Sequence, residues 1–87
     1  MKEFELEDVF KENLELKGEK ENLEALGIRF KVLDINTIKS SLTVRAVPSK
    51  LLQSSLEKRE IIKMTKELYL KVVPKGWVVH VRAYHKG

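Results

Sequence analysis

Pro74-Lys75-Gly76-Trp77-Val78-Val79-His80-Val81-Arg82-Ala83-Tyr84-His85-Lys86-Gly87 closes the chain, and its alternation decides the fold. Pro74-Lys75-Gly76 is a turn signal. After it, Trp77, Val79, Val81 and Ala83 fall on one side of an extended strand. Val78, His80, Arg82, Tyr84 and Lys86 fall on the other, because successive strand side chains point to opposite faces. One side is apolar; the other is basic and aromatic. The stretch holds the only Trp, both His and one of the two Tyr. A strand with one apolar side needs a sheet to join and a layer to cover it.

The layer is found upstream. Ile61, Ile62, Thr65, Leu68, Tyr69 and Val72 keep helical spacing, with Lys58, Arg59, Lys63 and Lys66 across much of the opposite side. Pro74 and Gly76 stop this helix. Ser54-Ser55-Leu56-Glu57 matches a capping box, Ser at the cap and Glu three residues on. Pro48 ends the preceding element and Ser49 is placed to cap a short helical turn to Gln53. The pattern over 49–72 fits one helix or two, the repeated Ser marking where a break would fall.

The sheet is found further upstream. Ile28, Phe30 and Val32 share one face of a strand over 28–35; Arg29, Lys31 and Leu33 share the other. Turn-prone Asp34-Ile35-Asn36-Thr37 places a hairpin connection around 34–40. Ser41 to Val47 forms the second strand, with Leu42, Val44 and Ala46 toward the core and Thr43 and Arg45 opposite. Before the strands, Leu6, Val9, Phe10 and Leu14 form the stripe of a helix over 3–17. Gly18 is expected to interrupt it. A second short helix over 19–26 presents Leu23 and Leu26, and Gly27 caps it. Phe10, Tyr69 and Trp77 are expected in the core, where aromatics supply much of a small domain's burial.

The fold class is therefore α+β: a two-layer sandwich with a three-stranded, mostly antiparallel sheet and helices on one face, in the order α-β-β-α-β. The first two strands pair as a hairpin, and the last is expected beside the first. Residues 1–87 make one small domain, an acidic helical segment over 1–27 and a basic β-β-α-β unit over 28–87.

Composition narrows the function classes. The chain has 87 residues, 43% of them hydrophobic, which is ordinary for a globular domain. It has no cysteine, so disulfides and thiolate metal sites are excluded. No signal-peptide core or bilayer-length apolar run is present, so a soluble, cytoplasmic protein is expected. Net charge is +4, unevenly spread: residues 1–27 hold four Lys against nine acids, and residues 28–87 hold thirteen Lys or Arg against four acids. The basic remainder points to an anionic partner, unless the acidic segment itself serves as that partner.

The non-core sides of the three strands bring together Arg29, Lys31, Leu33, Thr43, Arg45, Val78, His80, Arg82, Tyr84 and Lys86. Five are fixed cations and none is acidic. Arg29, Lys31, Arg45, Arg82 and Lys86 suit phosphate; His80 and Tyr84 offer flat rings for base stacking. The leading expectation is a non-catalytic RNA- or DNA-binding domain. The same surface fits a homodimer interface or a docking face for an acidic protein, since Leu33 and Val78 put aliphatic carbon in it, and it fits a plain solvated sheet face. A third class is a small metal-independent ribonuclease toxin. There His80 or Tyr84 would handle protons while Arg82 or Lys86 stabilised charge. No nucleophile, phosphate loop or dinucleotide motif supports catalysis, so a binding module is preferred over an enzyme. His80 and His85 fall on opposite strand faces, so no metal or other cofactor is expected.

The element order helix–strand–strand–helix–helix–strand resembles the second topological class of K-homology RNA-binding domains. That family carries a Gly-x-x-Gly loop between its middle helices, where backbone approaches the nucleic acid. The corresponding stretch here, Leu52-Gln53-Ser54-Ser55, has no glycine. The resemblance is one of element order.

Overall fold

The computed structural model describes residues 5–83. Its elements run α1 (Leu6–Glu12), α2 (Leu14–Ala25), β1 (Ile28–Asn36), β2 (Ser41–Pro48), α3 (Lys50–Ser55), α4 (Lys58–Leu70) and β3 (Val78–Ala83). The architecture is α+β, with helices packed on a three-stranded mixed sheet of order β1-β2-β3. β1 and β2 form the expected antiparallel hairpin, whereas β2 and β3 are parallel. The last strand thus lies beside the second, not the first. A parallel neighbour requires a long crossover, and the α3–α4 segment supplies one.

Burial follows the period of two. Leu42, Val44, Ala46 and Pro48 of β2 are buried, while Ser41, Thr43, Arg45 and Val47 between them are half-buried. The core lies between that inner face and the helices. Leu6, Phe10, Leu16, Leu42, Val44, Leu68, Tyr69, Val72, Val73 and Val79 form its larger part; Ile28, Ala46 and Ile61 form the smaller. Half-buried Leu23, Phe30 and Val81 pack against both parts and join them. Phe10 and Tyr69 are core residues as expected, and half-buried Trp77 packs against the same core.

Three local expectations are corrected. The first helix breaks at Asn13, not Gly18: the Asn13 side chain accepts a hydrogen bond from the Leu16 N–H at 3.4 Å and starts α2 afresh. Asn competes well for this role because its short side chain reaches an otherwise orphaned N–H. Gly18 then sits inside α2. Leu14 leaves the apolar stripe and is 78% exposed, its place in the core taken by Leu16. Second, 49–72 is two helices, but the capping box does not form. Ser49 caps α3 by accepting from the Leu52 N–H, so Ser54 and Ser55 fall in the last turn, where the Ser55 hydroxyl donates to the Leu51 carbonyl. The break is at extended Leu56, which packs against the smaller core part, and α4 starts at Glu57 without a side-chain cap. Third, β1 carries an irregularity, and it bears on the candidate site.

Gly27 closes α2 with φ 107, as its position predicted. Its carbonyl accepts from the Ser49 N–H at 2.7 Å, and a Cβ there would stand 2.6 Å from the Ser49 hydroxyl oxygen. Glycine is required twice over, by backbone conformation and by the close approach of the α3 N-terminus.

Candidate nucleic-acid interface

The outer face of the sheet is built from residues that alternate with the core. Register places them in rows across the strands. Asn36, Ser41 and Val78 make the first row; Asp34, Thr43 and His80 the second; Lys31, Arg45 and Arg82 the third; and Arg29 with Val47 the fourth. Arg29, Lys31, His80 and Arg82 are exposed and Arg45 is half-buried, as befits the central strand. The structure therefore brings Arg29, Lys31, Arg45, His80 and Arg82 onto one surface. Tyr84 and Lys86 lie outside the described residues.

The cations are not evenly spread. Four occupy the two adjacent rows at the end where β1 begins and β2 and β3 finish. Neighbouring strands are ~4.8 Å apart and alternate residues ~6.8 Å, so the quartet covers a patch of roughly 10 by 7 Å. Like charges directly opposite one another across strands are destabilising. The row Lys31–Arg45–Arg82 repeats that arrangement twice. Arg offers bidentate geometry to phosphate. Beside the quartet lies a cleft lined by Glu24, Gly27, Arg29, Val47, Pro48 and Ser49.

The expectation that this face holds no acid is overturned. Register slips between Val32 and Asp34, leaving Leu33 as the extra residue of a β-bulge. A bulge shifts every following side chain to the other face. Asp34 consequently pairs with Thr43 on the outer face, and Ile35 pairs with buried Leu42 on the inner one. The slip has a sequence signal that simple alternation misses: the inward apolar positions run 28, 30, 32 and then 35. Leu33, read as part of the regular outer face, is instead the bulged residue, 41% exposed.

The acidic helices α1 and α2 pack on the inner side of the sheet. Lys20 fastens them together, its ammonium 3.3 Å from the Glu7 carboxylate and 4.7 Å from the centre of the Phe10 ring. Their buried residues Leu6, Phe10 and Leu16 pack into the inner core, while Glu24 reaches the cleft beside Arg29. Among the described residues no helix is long and apolar enough to cross a membrane, and no group of three or more His, Asp or Glu is placed to hold a metal ion.

Compared with known proteins, the chain matches no family model, no curated protein and no solved structure. The α3–α4 junction, Leu56-Glu57, also lacks glycine, so the likeness to K-homology domains stays one of element order.

Proposed function

We propose that this protein binds single-stranded nucleic acid on the outer face of its sheet, without catalysis. The observation that carries the reading is the cation row Lys31–Arg45–Arg82 with Arg29 beside it, spanning all three strands. Phosphates of one short segment neutralise the quartet, and His80, exposed in the neighbouring row, gives a base a ring to stack on. A sheet face suits an unpaired strand, whose bases are free to stack, better than a duplex, whose base edges lie inside grooves. Arg29, Lys31, Arg45 and Arg82 hold phosphate in this reading; Tyr84 and Lys86 extend the same alternation in the sequence.

Fluorescence anisotropy with labelled single-stranded RNA and DNA tests it. Four cations predict log K falling with log salt at a slope of about −2 to −3, at ~0.7 per phosphate contacted on a single strand. Arg45→Glu combined with Arg82→Glu is expected to abolish binding. Absence of binding at low salt, or an unchanged affinity in the double variant, overturns the proposal. Light scattering in the same buffers separates it from the homodimer reading, in which mass doubles with protein concentration and oligonucleotide has no effect.

A further inference from the structure

The bulge at Leu33 does more than interrupt an edge strand. It is the reason an acid stands on a surface that otherwise presents only cations and neutral groups. Bulges recur where a strand re-aims a side chain beside a working site. Asp34 is exposed and has no ion pair among the described residues, so its carboxylate is not committed to a neighbour in the fold. It stands one row from Lys31 and Arg45, and across Thr43 from His80.

We propose that Asp34 is a specificity-determining residue that makes this face prefer guanine. The inference rests on the nucleic-acid reading of the face. A carboxylate has two acceptor oxygens and no donor, so it matches a base edge carrying two adjacent donors. Among the five common bases, guanine has that edge, in its ring N1–H and exocyclic N2–H₂. Cytosine and adenine place a ring acceptor beside their amino group, and uracil and thymine flank one N–H with two carbonyls, so each sets an acceptor against the carboxylate. The Asp34 row and the Lys31–Arg45 row are ~7 Å apart along β2. That spacing lets one nucleotide meet Asp34 with its base and a cation with its phosphate. Thr43, between Asp34 and His80, adds a hydroxyl that donates or accepts.

The test uses the full chain and uracil-rich RNA oligonucleotides carrying a single central G, A, C or U, with thymine-rich DNA equivalents in a parallel arm. The parent is expected to bind the G-containing strand at least about fivefold more tightly than the others, the lower end of what a bidentate base contact supplies. Asp34→Asn replaces one acceptor with a donor. It is expected to erase that preference while leaving affinity for the uracil-only strand equal or tighter, since an acid has left a basic surface. Equal binding of all four strands by the parent overturns this inference and leaves the broader reading of the face intact. A guanine preference that survives in Asp34→Asn overturns it too. No binding to any strand overturns both.

Discussion

Tyr69 places an ionisable phenol where the fold uses it as an aromatic wedge. It is 2% exposed, with Phe10 and Phe30 edge-on at centroid distances of 5.8 and 5.9 Å. Burial, and then the nearby carboxylates of Glu7 and Glu24, push its pKa well above the ordinary 10. All three influences disfavour phenolate in the folded state. In the unfolded chain the group ionises near 10. Below that pH both states hold the proton and stability is unaffected; above it the unfolded state alone releases the proton. Stability therefore falls by about 1.4 kcal/mol per pH unit as pH rises beyond ~10, until the folded pKa is reached. Tyr69→Phe removes this dependence while keeping both edge-on ring contacts. Urea midpoints between about pH 9 and 11 are expected to fall more steeply for the parent than for the variant. Parallel curves would place the phenolate in a hydrated site, contrary to its burial.

At the level of the strands, the proposed function sets a binding requirement on the outer-face cation row against a folding one. Lys31 lies on edge strand β1, exposed and opposite Arg45. Lys31→Thr replaces a repelled cation with a β-branched residue suited to a strand. It is expected to raise stability by about 0.5 kcal/mol in urea denaturation. The same change should lower the salt slope of oligonucleotide binding by about 0.7. A variant that gains stability and keeps the full slope would show that Lys31 does not meet phosphate. The division of faces behind this row was legible from alternation alone, because β2 keeps the period of two without a slip. Three features were not. The bulge at Leu33 shows only as a phase change from Val32 to Ile35, and strict alternation reads through it. Asn13 and Gly18 both interrupt helices on propensity, and the Asn13 cap decided between them by satisfying the Leu16 N–H. Ser49 and Ser54 both announce a helix start. Once Ser49 had begun α3, Ser54 fell within that helix, and α4 took Glu57 as its N-cap. The last two cases turn on competition between two adequate local signals, and the core takes in a different side chain as a result: Leu16 over Leu14, and Leu56 at the break.

Across the whole molecule, charge is segregated by layer. The acidic segment, net −5 over residues 1–27, contributes α1 and α2 on the inner side of the sheet, and the cation quartet lies on the outer side. Of the ion pairs between described residues, Lys71–Glu19 at 3.2 Å joins the acidic helices to the remainder; the others stay within one segment. Most of the acids therefore act on the outer face only through space, and distance with salt decides how far that reaches. The shortest principal extent of the chain is 16 Å. The Debye length is about 10 Å at 0.1 M salt and 30 Å at 0.01 M, so a charge on the far side is screened in the first condition and felt in the second. Glu21 is exposed on α2, on the opposite side from Leu16 and Leu23, while Glu24 shares the cleft with Arg29. Glu21→Gln is expected to tighten oligonucleotide binding by less than about twofold at 0.01 M salt and not measurably at 0.15 M. Glu24→Gln is expected to tighten it at both, by about threefold at the lower salt, because Glu24 lines the same cleft as Arg29. Anisotropy titrations of the two variants at the two salt concentrations give four affinities to set against the parent. If Glu21→Gln acts as strongly as Glu24→Gln, and does so at 0.15 M, the bound strand must reach the helical layer, and the outer face is not its only seat.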